Sequence, residues 1–185
     1  TGQGEHFSSI IARATVSPMN PKLLIVDDDE EIRTQMRWAL AGEYEIFLAG
    51  DRISAMDTFR SDRPAVVLLD LGLPPHPNNP EEGLATLSDL LAHDALVKVV
   101  IITGQGEKEV ALRAVGAGAY DFLCKPVEME ELKLLLKRCF HIAQLEREYR
   151  DMHRLLQGDG FEGMLGTSLP MQAVFDSIRK VAMVD

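Results

Sequence analysis

From Leu23 onward, short runs of nearly continuous apolar residues alternate with stretches whose apolar positions recur every three or four residues. A strand that is apolar on both sides must be covered on both faces, which is the condition of a parallel sheet held between helices. The runs predict strands over residues 23–26, 44–48, 65–69, 97–102 and 119–123, the second more polar than the rest and edge-like. Between them helices are predicted near residues 30–40, 53–60, 82–92 and 107–115, and Glu128 opens a last one. In the first, Ile32, Met36, Ala39 and Leu40 share a face. Five βα units in about 120 residues complete a small doubly wound α/β domain.

The last helix runs on past the point where such a domain needs it. Helix formers continue to about Gln157, and Ile142, Leu145, Tyr149, Met152 and Leu156 recur at alternating spacings of three and four, the heptad seam of a short coiled coil. An amphipathic helix lying on its own domain would need much the same pattern. Gly158 and Gly160 end it. Residues 1–18 show no clean periodicity and Met19 directly precedes the first strand, so the expected native start is Met19, with a tag or disordered upstream segment before it.

With a net charge of -10, the chain as a whole should not attract nucleic acid or an anionic membrane. Two cysteines, Cys124 and Cys139, are too few and too irregularly placed for a disulfide framework or a zinc site, which fits a reducing cytoplasm. No apolar run approaches the roughly 18 residues of a membrane helix, and residues 1–18 lack the apolar core of a signal peptide.

In open parallel sheets ligands bind beyond the carboxyl ends of the strands. The first strand runs into Asp27, Asp28 and Asp29, the third into Asp70, the fourth into Thr103 and the fifth into Lys125. Four strand ends therefore deliver a carboxylate cluster, a hydroxyl and an ammonium to one edge. Close carboxylates repel one another unless a cation neutralises them or some stay protonated, and hard oxygen ligands in small number favour Mg²⁺. Asp70 can then serve as an oxygen nucleophile toward phosphorus, with Lys125 stabilising charge on the transferred group. Singly, each residue has a plainer explanation: Asp29 and Glu30 as helix caps, Thr103 as a turn residue, Lys125 as a solvated charge. Their joint occurrence at the right strand ends is what carries weight.

The stretches LLIVDDDEEIR, AVVLLDLGLP, VVIITGQG and GAYDFLCKP together resemble the receiver domain of two-component response regulators, over about residues 21–140. The resemblance implies a flavodoxin-like strand order 2-1-3-4-5 and a phosphoryl acceptor at Asp70. It implies Mg²⁺ bound by Asp28, Asp70 and the backbone carbonyl of Gly72, with Asp27 acting through water, and a cis bond between Lys125 and Pro126. A sensor histidine kinase is the implied phosphodonor. Switching is implied to couple Thr103 to the aromatic residue three before the lysine, which here is Phe122 rather than tyrosine. It is also implied to alter a homodimer through the final helix or through the face of the fourth helix, fifth strand and final helix. The loop LPPHPNNPEEG is longer than usual for the family, and the form DLGLPPxP…EGLATL looks most like regulators of the PEP-CTERM/exosortase system.

The tail FEGMLGTSLPMQAVFDSIRKVA resembles the opening of the AAA+ domain in sigma-54-dependent activators of the NtrC type. The implied organisation is a receiver over residues 19–140, a helical linker or coiled coil over 141–158, and the start of an AAA+ domain over 159–185. No G-x-x-x-x-G-K-[ST] appears in these residues, so ATP hydrolysis, DNA binding and contact with sigma-54 RNA polymerase are expected only of a longer parent. Other readings compete. A haloacid-dehalogenase-type phosphatase would use Asp27 in the Asp27-x-Asp29 motif and leave Asp70 idle. A pseudo-receiver would bind partners without phosphorylation, although the intact set of Asp27, Asp28, Asp70, Thr103 and Lys125 argues against it. Gly104-Gln-Gly106 lacks the third glycine of a dinucleotide fingerprint and follows the wrong strand.

Overall fold

The computed structural model describes residues 20–104 and 106–158. The expected upstream segment and the AAA+-like tail lie outside these residues. Among the described residues ten elements alternate in chain order: β1 (Lys22–Val26), α1 (Glu30–Leu40), β2 (Glu45–Ala49), α2 (Arg52–Asp62), β3 (Val66–Asp70), α3 (Glu81–His93), β4 (Lys98–Thr103), α4 (Lys108–Gly116), β5 (Asp121–Cys124) and α5 (Met129–Gly158). The strands form one parallel sheet in the order β2-β1-β3-β4-β5, the doubly wound arrangement expected from the sequence.

The alternation of side chains along each strand sorts the core into two layers. Leu24, Val26, Val67, Leu69, Val99 and Ile101 pack with Phe59 of α2, Leu87 and Leu90 of α3 and Ala114 of α4. Leu23, Ile25, Val66, Leu68, Val100, Ile102 and Leu123 pack on the opposite face with Met36 and Leu40 of α1 and with Leu132, Leu135, Leu136 and Cys139 of α5. Both sides of β1, β3 and β4 are thus buried, which explains why their sequences read as continuous apolar runs.

The chain divides after Phe140 into two compact units, so α5 begins in the first and continues in the second. In the second, Leu145, Tyr149 and Met152 of the predicted seam are exposed and Ile142 is half-buried, while the side chain of Leu156 lies outside the described residues. Among the described residues no helix is long and apolar enough to cross a membrane.

Candidate functional site

Strand register brings the acidic residues together. Val26 is paired with Leu69, so the next residue, Asp27, comes level with Asp70, the last residue of β3. Asp70 is in turn paired with Ile102, which places Thr103 one step further along the sheet edge, beside Cys124 at the end of β5. Lys125 follows, anchored by its own N–H, which donates to the Thr103 carbonyl at 2.7 Å, and by a cis bond to Pro126. The Pro74–Pro75 bond in the long loop is cis as well.

The Lys125 ammonium bridges two carboxylates. It donates to Asp27 Oδ2 at 2.9 Å and to Asp70 Oδ2 at 3.0 Å. Asp27 is almost fully buried, and its other oxygen accepts from the Asp29 N–H at 2.9 Å, which fixes the turn out of β1. Asp29 is separately employed, as the sequence suggested: its side chain accepts from the N–H groups of Glu31 and Ile32 and caps α1. Asp28 stays exposed. Carboxylate oxygens of Asp27, Asp28 and Asp70 all lie within 4.8 Å of one another. Three hard oxygen donors open to solvent at Asp28 are the donor chemistry that suits Mg²⁺, so the residues fit the ion that the sequence implied.

Burial and charge compete at this site. Burial raises the pKa of the Asp70 carboxyl, the Lys125 charge lowers it, and nearby Asp27 raises it again; hydrogen bonds from Lys125 and from the Gly72 N–H lower it, and the balance is upward. For Lys125, burial alone favours the neutral amine, but hydrogen bonding to Asp27 and the charges of Asp70 and Asp27 outweigh it and hold the ammonium above its usual range. An ionised Asp70 is therefore tolerated here, rather than favoured, until further positive charge arrives.

Thr103 is fully buried, yet its hydroxyl does not point into the carboxylate cluster. It donates to Glu107 Oε2 at 2.8 Å, and the Gly104 N–H donates to the same oxygen at 3.1 Å. The sequence marks Glu107 only as the opening of a helix; its spacing of four residues from Thr103 is the available signal. Phe122 pairs with Ile101 across β4 and β5 and packs, half-buried, against the core layer of α2, α3 and α4. Of the expected residues, Asp27, Asp28, Asp70 and Lys125 converge, Gly72 supports Asp70 through its N–H, and Thr103 and Phe122 belong to the α4 side. The phosphatase reading, which leaves Asp70 idle, is not favoured by a cluster that includes it. Nor is a dinucleotide loop favoured at Gly104, whose N–H is already engaged.

Known proteins resemble this chain in sequence and in fold. Residues 23–137 match the response regulator receiver domain family. The chain is 28% identical over 164 residues to the regulatory protein AtoC of Escherichia coli (strain K12), covering 88% of this chain and 34% of that protein. It is 30% identical over 157 residues to the nitrogen assimilation regulatory protein NtrX of Azorhizobium caulinodans, covering 84% of this chain and 34% of that one. The chain thus spans about a third of the length of these curated relatives. Among solved structures, NtrX from Brucella abortus in complex with ADP superposes with a TM-score of 0.66 at 31% identity, over 90% of this chain and 35% of that one. The receiver domain of the same protein superposes with a TM-score of 0.59 at 33% identity, over 64% of this chain and 98% of that domain. With the matched span covering residues 23–137 and the strand order in agreement, the chain belongs to the response regulator receiver family.

Proposed function

We propose that Asp70 is the phosphoryl acceptor of this receiver and that a sensor histidine kinase is its phosphodonor. The observation that carries the reading is the Lys125 ammonium held between Asp27 and Asp70, beside a third carboxylate from Asp28. In the transfer an Asp70 carboxylate oxygen forms a bond to phosphorus as the P–N bond of the donor phosphoimidazole breaks; the departing nitrogen keeps the electron pair and is protonated. Asp28, Asp70 and the Gly72 carbonyl are the groups that would hold Mg²⁺ directly, with Asp27 acting through water, and the ion would supply charge neutralisation at the phosphoryl oxygens. Lys125 orients Asp70 and stays charged throughout. Thr103 and Phe122 form the switch elements on the α4 side.

Downstream, the reading is a homodimer that pairs through the exposed seam of α5, or through the α4–β5–α5 face, and controls a sigma-54-dependent activator in a longer parent acting in the cytoplasm. The likeness to the regulatory proteins NtrX and AtoC supports the regulatory part of this reading, and the exposed Leu145, Tyr149 and Met152 support the pairing; neither extends to the narrower exosortase-associated resemblance. To test the acceptor, the protein is incubated with Mg²⁺ and a small phosphodonor and weighed intact. One added phosphoryl mass is expected in the parent chain and none in Asp70→Asn. An unchanged yield in that variant, or no added mass in the parent, would refute the assignment.

A further inference from the structure

We propose that the Glu107 carboxylate is an internal stand-in for the phosphoryl group, holding the Thr103 hydroxyl and the Gly104 N–H until modification of Asp70 displaces it. The inference rests on Asp70 being the acceptor.

Three observations converge on Glu107. One carboxylate oxygen takes both donors, at 2.8 and 3.1 Å, inside a region where Thr103 has no solvent exposure. A hydroxyl and a backbone amide each carry a single proton to donate, so a second anion can claim these donors only if Glu107 gives them up. A phosphoryl group on Asp70 brings two negative charges or nearly so to the end of the neighbouring strand, and like charges in a partly buried site repel. Exchange of one anion for the other is therefore exclusive.

The second observation is what the Glu107 side chain forgoes. It occupies the N-cap position of α4, where a side-chain oxygen ordinarily accepts from the free N–H groups of the first turn, but it makes no such bond. Once released, the same carboxylate can fold forward onto those N–H groups, where the helix dipole also favours negative charge. The third is the joint that permits the motion. Gly106, immediately before Glu107, sits at φ 96° with nothing within 4 Å of where a Cβ would be. Strand alternation places Thr103 with Val99 and Ile101 toward α4, on the side opposite Ile102, so turning its hydroxyl toward the acceptor vacates the α4 side. The same exchange thus links the chemistry at Asp70 to the start of α4.

The test is a titration of the full chain with beryllofluoride in the presence of Mg²⁺, followed by the Gly104 amide resonance, for the parent, Glu107→Gln and Glu107→Ala. Because a charge-assisted pair of hydrogen bonds no longer has to be broken, half-saturation is expected at a beryllofluoride concentration on the order of tenfold lower in both variants. In a Thr103→Val background the gain from Glu107→Gln should shrink, since only the Gly104 donor remains to be contested. If Glu107 merely braces the loop, both variants melt earlier and bind beryllofluoride no more tightly than the parent, and the proposal fails while Asp70 still gains a phosphoryl mass. A parent chain that binds no beryllofluoride and gains no mass overturns the acceptor assignment along with it.

Discussion

Asp70 is held in a state of tension between burial and Lys125. Its carboxyl pKa lies above the ordinary 3.8 because burial outweighs the ammonium beside it. The unfolded chain therefore gives up this proton at lower pH than the folded one, and the folded state loses stability as pH rises from 3.8 through the folded value. Above the folded value the ionised, buried carboxylate is a cost to folding. Asp70→Asn keeps the shape and removes the charge, so in the absence of divalent cations it should melt above the parent at neutral pH, with the difference vanishing in acid where both carry a neutral group. Mg²⁺ should reverse the order. At a hundredfold excess over its Kd, Mg²⁺ bound as proposed would stabilise the parent by about 2.7 kcal/mol and the variant by much less. Thermal melts at two pH values, with and without Mg²⁺, check both signs; a variant that melts below the parent at neutral pH without metal would contradict the burial argument.

At the scale of elements, the site depends on how closely helices can approach the sheet. A Cβ at Gly83, in the first turn of α3, would lie 2.4 Å from the Leu71 Cα and 2.6 Å from the Leu71 carbonyl oxygen. Both are backbone atoms of the segment that leaves Asp70, so they cannot move without dragging Asp70 with them. Gly83→Ala should cost about 3 kcal/mol and lower the melting midpoint by roughly 10 °C, with a lower yield of phosphoryl mass in the fraction that stays folded. An unchanged midpoint would show that α3 can slide away from Leu71. The strands and most helices were legible because two-sided burial leaves an unmistakable apolar run, and local caps such as Asp29 follow from residue type alone. Strand ends were less so: Asp70 and Thr103 look like loop residues by hydropathy but are the last paired residues of β3 and β4. Tyr44 reads as a strand residue yet closes the turn after α1, its N–H donating to the Leu40 carbonyl and its ring stacking on Phe140 at 4.9 Å. The Lys125–Asp27 pair joins residues far apart in sequence and is visible only through the sheet order, while the two donors gathered by Glu107 depend on a side-chain direction that spacing does not encode.

At the scale of the whole molecule, the output proposed for the receiver runs through α5, the longest of the described helices. The helix runs for 30 residues, and its second part, from His141 on, belongs to a separate compact unit. Leu145, Tyr149 and Met152 lie exposed there at heptad spacing, with Glu146, Arg147, Glu148 and Arg150 supplying charges of both signs between them. In proteins most of a helix's stability comes from burying an apolar stripe rather than from intrinsic propensity. Pairing of two copies along the seam meets that need, and heptad spacing is what lets a and d positions stay in register with a partner. Leu145→Lys with Tyr149→Lys would then set like charges against each other across the pair. Sedimentation should show the parent chain shifting from monomer to dimer with concentration and the double variant remaining monomeric over the same range. Since both positions lie outside the receiver unit, phosphoryl uptake at Asp70 should be unaffected, which separates loss of pairing from loss of folding. A parent whose mass is independent of concentration, with or without beryllofluoride, would leave the seam without the role proposed for it.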